Sequence, residues 1–296
     1  MTYAAWIILT GVLVGITCGM TGALLVLRKM SMIADAISHT VLLGIVLAFF
    51  VTQSLNGLPM LIGAGIVGIL TAVIVQWLSS SGVQSGAAIG VTFTSLFALA
   101  VVLLSFIGDG VHLDVEHALM GEISYVPWDT WAYNGMNLGP KAVWMLGGVL
   151  ILNLAIILLF YKEFKISTFD PQMAASLGIP ILFLHYILMG MVSFSTVASF
   201  DSVGAILVVA MLIVPGATAY LLTNHFGWMI ALSAIVGALA SIIGYGFAVW
   251  LDVSIAGSMA VSSGLLFTLA FFLSPKHGII SKWWKRRASR KSLAAS

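Results

Sequence analysis

Met32-Ile-Ala-Asp-Ala-Ile-Ser-His-Thr-Val-Leu-Leu-Gly-Ile-Val-Leu-Ala-Phe-Phe50 is the stretch whose reading decides the fold. At 1.5 Å per residue, a helix of about 20 mostly apolar residues crosses the ~30 Å hydrocarbon core of a bilayer, and this run has that length. Two ionisable groups interrupt it, Asp35 and His39, four residues apart and so on one helix face. A charge at the bilayer centre costs about 2.5–3.5 kcal/mol on insertion scales, which makes an intramembrane carboxylate a marker of function. Carboxylate plus imidazole suits Mn²⁺, Fe²⁺ or Zn²⁺, whereas Cu⁺ favours sulfur and Mg²⁺ or Ca²⁺ oxygen alone. The plainer alternative is a hydrogen bond between the two that satisfies a buried polar spot. Two ligands are too few for stable binding. They suit a site that releases its ion, with water or a second copy of the chain completing the shell.

Outward from this run the apolar signal repeats. The 296 residues are 61% hydrophobic and 7% charged, with a mean hydropathy of +1.13, far from soluble composition. The fold class is all-α: a polytopic membrane protein of about nine (eight to nine) transmembrane helices. The nine spans are expected near 4–27, 32–52, 58–78, 87–107, 142–161, 181–199, 203–222, 227–250 and 255–273. The first lacks the charged n-region and cleavage site of a signal peptide and reads as a retained helix. The organisation is a transmembrane domain, 1–275, with a short cytoplasmic segment at 162–180, then a basic tail at 276–296.

Cytoplasmic loops retain Lys and Arg, which sets the orientation. With nine spans, the basic tail, Arg28, Lys29, Lys162 and Lys165 all fall inside and only Lys141 outside, which puts the N-terminus outside and the C-terminus in the cytoplasm. The outer face gathers Asp109, Asp114, Glu116, Glu122, Asp129, Asp201 and Asp252. In the tail, Lys282-Trp283-Trp284-Lys285-Arg286-Arg287 sets tryptophans beside cations, as expected at an anionic inner leaflet, and a nucleic-acid partner is not implied. Cys18 is the single cysteine, so neither an intrachain disulfide nor a cysteine-cluster zinc site can form.

Gly11, Gly15 and Gly19 in the first span, and Gly63, Gly65 and Gly68 in the third, are spaced for close helix packing. In the inner segment, Asp170 can cap a helix with Pro171 at its first position, while Gly178 and Pro180 end it, so a short helix is expected over Gln172–Leu177. It is either a plain connector or a docking element for a cytoplasmic motor. Pro215 marks a kink or hinge in the seventh span. Asp201 opens that span and, with Ser199, either faces an ion path or simply caps the helix. His112, Asp114, Glu116 and His117 form an outer cluster that is solvated or recruits metal. No P-loop, H-E-x-x-H or G-x-S-x-G pattern is present, so the chain carries no ATPase site and no catalytic motif of those kinds.

Four blocks in order over nearly the whole chain resemble one family. They are Met32-Ile-Ala-Asp-Ala-Ile-Ser-His39, Phe169-Asp-Pro171 followed by Gly178, Val203-Gly-Ala-Ile-Leu-Val-Val-Ala-Met-Leu-Ile-Val-Pro215, and Leu273-Ser-Pro-Lys-His-Gly278. They are similar to the ABC-3 family, membrane subunits of bacterial ABC importers for manganese, zinc and iron(II). The resemblance implies a multi-pass subunit of the bacterial cell membrane, paired with a second permease copy as a homodimer. Its other partners would be cytoplasmic ABC ATPase subunits that hydrolyse the ATP, and an extracytoplasmic metal-binding protein. It further implies that Asp35 and His39 contact the ion and that Phe169–Gly178 is the coupling helix in an ATPase groove. The metal, manganese first and zinc or iron next, is cargo, with no cofactor held permanently. Two other readings are a stand-alone proton-coupled metal transporter, for which inverted repeats would speak and none is clear, and a permease for a metal chelate, which has no need of a ligating pair at mid-span.

Overall fold

The computed structural model describes residues 2–53, 57–106, 123–133 and 136–274, with backbone alone for 57, 58, 132, 133, 136–138 and 201. In hydrocarbon no water is available to backbone N–H and C=O groups, so runs that are apolar on every side become helices, which bond their own backbone. Among the described residues nine helices are long and apolar enough to cross a bilayer. They are α1 (Tyr3–Leu27), α2 (Ser31–Thr52), α3 (Gly57–Ser80), α4 (Ser85–Ser105), α5 (Lys141–Leu159), α8 (Ile181–Val203), α9 (Ala205–Leu222), α10 (Phe226–Leu251) and α11 (Ile255–Leu273). The nine expected spans are these, with ends shifted by a few residues. Two short helices, α6 (Tyr161–Phe169) and α7 (Pro171–Ser176), fill the link between α5 and α8.

One feature lies outside the all-α expectation. A 3-10 turn at Ile123–Trp128 leads into a two-stranded antiparallel ribbon, β1 (Thr130–Tyr133) and β2 (Met136–Pro140). The ribbon ends at Lys141, whose ammonium lies 2.7 Å from the Asp129 carboxylate. The outer cluster His112, Asp114, Glu116 and His117, together with Asp109, Glu122 and the basic tail 276–296, lies outside the described residues.

α1 is the central post, packed by α5, α8, α9 and α10. Its glycines serve packing, as their spacing indicates. A Cβ on Gly15 would stand 2.4 Å from the Gly237 carbonyl oxygen of α10, and one on Gly22 only 1.7 Å from that of Leu212 in α9. Two hydroxyls of α10 clasp the same face: Ser233 Oγ donates to Gly19 O at 2.6 Å and Ser241 Oγ to Gly11 O at 2.7 Å. α2 and α3 form a second close pair, where Gly44 meets Gly63 and Ala64, and the Thr71 hydroxyl donates to that of Thr40 at 2.8 Å.

One expectation in the α8–α9 region changes. Asp201 does not open the seventh span; it lies in the last turn of α8, and the chain breaks at Gly204, whose φ of +78° a side chain would disfavour. Pro215 sits inside α9, which runs unbroken from Ala205 to Leu222. The neighbouring Gly216 is where α9 approaches Gly22 and Ala23 of α1.

Candidate functional site

α2 begins at Ser31 directly after the Arg28-Lys29-Met30 turn, which places Asp35 and His39 in its first turns. The face carrying Ile33, Ala34, Ile37 and Val41 is buried against the rest of the chain. The face carrying the ionisable pair points outward, with 53% of the Asp35 side chain and 37% of that of His39 exposed. His39 Nε2 lies 3.7 Å from Asp35 Oδ1. That exceeds hydrogen-bond range, so the two groups share a face without consuming each other's lone pairs. Phe93 and Phe97 of α4 stand 5.5 Å and 6.0 Å from the imidazole centroid and bound it on one side. No third His, Cys, Asp or Glu joins them among the described residues. One chain therefore offers an O,N pair open on its outer side, and further ligands must come from water or another chain.

The α6–α7 hairpin is built as its residues require. The Asp170 carboxylate accepts from the Met173 N–H at 2.9 Å, Pro171 fills the first helical position, and α7 spans Pro171–Ser176 within one residue of the expected bounds. Gly178, at φ +75°, closes it. Its N–H donates to Ala175 O and that of Ile179 to Ala174 O, both at 3.0 Å, which is a Schellman cap. Met173 and Leu177 lie one turn apart and, with Phe169 at the end of α6, are exposed, so the hairpin presents an apolar stripe.

Three features went beyond the sequence reading. Of the stripe, Met173 and Leu177 were readable from their helical spacing, whereas Phe169 precedes the non-helical Asp170 and was not. Arg28, counted there only as an orientation marker, donates from Nη2 to Ser167 Oγ at 2.8 Å and from Nε to Thr168 Oγ1 at 3.2 Å. This places the α1–α2 turn and the α6–α7 hairpin at the same end of the bundle; nothing local in the sequence pairs residues about 140 positions apart. His185, buried in the first turn of α8, keeps Nε2 without a hydrogen-bond partner among the described residues.

A family model described as the ABC 3 transport family matches residues 1–274. The manganese transport system membrane protein MntD of Bacillus subtilis is 61% identical over 282 residues, covering 95% of this chain and 96% of that protein. The zinc transport system membrane protein TroD of Treponema pallidum is 42% identical, covering 97% of this chain and 78% of its own length. Among solved structures, PsaBC from Streptococcus pneumoniae in complex with Fab superposes with a TM-score of 0.78 at 33% identity, covering 94% of each chain.

Proposed function

The chain belongs to the ABC 3 transport family and is a multi-pass permease of the bacterial cell membrane, and we propose that its cargo is Mn²⁺, with Zn²⁺ and Fe²⁺ next in order. The observation that carries this reading is the Asp35–His39 pair, 3.7 Å apart and open on the outer side of α2. Its donor set fits these three ions, and the manganese relative shares 61% of aligned residues. The permease works as a homodimer in which α2 of each copy contributes the pair, so that four protein ligands, two carboxylates and two imidazoles, hold an ion that neither copy retains alone.

The remaining parts follow from what the chain lacks. It has no nucleotide loop, so ATP is hydrolysed by cytoplasmic ABC ATPase subunits. The Phe169, Met173 and Leu177 stripe, flanked by Asp170, Pro171 and Gly178, is the surface they grip. Arg28, bonded to α6, shares one end of the bundle with Lys29, Lys162 and Lys165, and this grouping supports a cytoplasmic placement of that end with the N-terminus outside. An extracytoplasmic metal-binding protein delivers the ion at the other end, and Asp35 and His39 receive it. Rearrangement of the spans, driven through α7, releases it inward. Gly204 and Pro215 are the positions where the α8–α9 segment yields, and Asp201 stands at the outer end of this path.

The test is cellular manganese, zinc and iron content in strains carrying Asp35→Ala or His39→Ala. The proposal expects loss of manganese accumulation in both; unchanged content of all three metals refutes the site.

A further inference from the structure

Arg28 is held more firmly than a marker of orientation needs to be. It caps α1 where a three-residue turn passes the chain to α2. That turn is itself fixed. The Lys29 N–H donates to Val26 O at 3.1 Å and that of Met30 to Leu25 O at 2.9 Å, with Lys29 at φ +58°, a conformation side chains rarely adopt. From this rigid corner the guanidinium reaches across to α6, bonding Ser167 and Thr168 and lying 5.6 Å from the centroid of the buried Phe164 ring. Phe169 and Asp170, which lead into α7, come next in the chain.

The partners are unusual for a half-buried cation. Burial pushes the guanidinium pKa below its usual value, and among the described residues no carboxylate stands within ion-pair distance of it. It is held instead by two neutral hydroxyls and a ring face. Charge-assisted bonds of this kind tie the turn to the hairpin without the desolvation cost of a second buried charge.

Resting on the reading of α7 as the surface gripped by the ATPase, we infer that Arg28 is a positioning residue of the transport cycle, carrying displacement of the α6–α7 hairpin to the α1–α2 turn and so to Asp35, seven residues after it in the chain. The route is distinct from the covalent one. Through the chain, α7 leads by Gly178, Ile179 and Pro180 into α8. The covalent route alone moves α8; the guanidinium brings along the helix that holds the ion.

The experiment uses the assembled transporter, with its ATPase and binding protein, in proteoliposomes. Manganese moved per ATP hydrolysed is measured beside the distance between spin labels at Met32→Cys on α2 and Lys165→Cys on α6, both exposed positions. With one of the two copies labelled, the distance in the otherwise wild-type transporter should be single, narrow and unmoved by ATP. Arg28→Gln should broaden it and lower manganese per ATP by about tenfold or more, the scale of losing charge-assisted hydrogen bonds, while ATP hydrolysis continues. Arg28→Lys, which cannot bridge both hydroxyls, should fall between. Ser167→Ala with Thr168→Val removes the acceptors and leaves the arginine, and should reproduce Arg28→Gln should that variant not assemble. Unchanged stoichiometry and distance, or transport and ATP hydrolysis lost in equal proportion, overturns the inference. A wild-type transporter that moves no manganese with ATP instead refutes the proposed function.

Discussion

The contact between Gly15 and Gly237 gives a sharp test of how α1 is seated. An added Cβ on Gly15 would stand 2.4 Å from the Gly237 oxygen, and one on Gly237 2.2 Å from the Gly15 oxygen, against the 3.4 Å at which ordinary contact begins. Either alanine is thus about 1 Å too close to backbone, which has no rotamer to escape into. To accept it, α1 and α10 must part by about that much. One turn to either side, the Ser233–Gly19 and Ser241–Gly11 bonds, at 2.6 Å and 2.7 Å, would then stretch beyond hydrogen-bond range. Overpacking costs about 1–3 kcal/mol and each interhelical bond in a membrane protein about 0.6 kcal/mol, so Gly15→Ala and Gly237→Ala should each lose roughly 2–4 kcal/mol. Parting the helices once relieves part of both clashes, so the double variant should cost less than the two singles together. The assay is unfolding of the purified permease in detergent. Gly246→Ala on the same helix is the control, because its Cβ would meet open space and should be neutral or stabilising by about 0.5–1 kcal/mol. Single variants as stable as this control, or strict additivity, would show that the two backbones do not touch here.

Other parts of the molecule yield further expectations. Asp35→Asn keeps the size of the side chain but not its charge, and should reduce manganese uptake by more than the ~10–100-fold typical of changes behind a metal ligand; uptake within twofold of wild type speaks against ligation. Asp170→Ala removes the cap on the Met173 N–H and about 0.5–2 kcal/mol of local stability, so amide exchange in α7 should quicken roughly two- to thirtyfold, read by mass spectrometry, with α8 unaffected. Cys18 is fully buried between α1 and α8, with its sulfur 3.5 Å from Ser199 Oγ. A maleimide should therefore label it only after denaturation, and rapid labelling of the folded permease would show that α1 and α8 separate there.

Lipid makes much of this fold readable, because each crossing must be long, apolar and helical, and the nine described spans match their sequence-based bounds closely. Caps made the hairpin legible too: Asp170-Pro171 and Gly178 state the ends of α7 in a few residues. The α8–α9 boundary was harder. Phe200-Asp-Ser-Val-Gly204 offers both a carboxylate that suits a helix start and a glycine that suits a break, and the positive φ at Gly204 prevailed. The spacing of Asp35 and His39 fixed their common face but not where it points, because α2 is apolar all round and its pattern does not separate protein from lipid. Arg28 was hidden for another reason. Its partners are brought near only by packing, and hydroxyls on α6 carry no charge pattern to pair with it.

The outward aim of Asp35 also bears on the life of the chain before any ion arrives. A protomer newly released into the bilayer carries a carboxylate on its flank, a few ångströms along α2, in surroundings that solvate it poorly. Laid face to face without an ion, two such copies would set one carboxylate against another, so in the proposed homodimer the cation is what makes the seam favourable as well as what is carried.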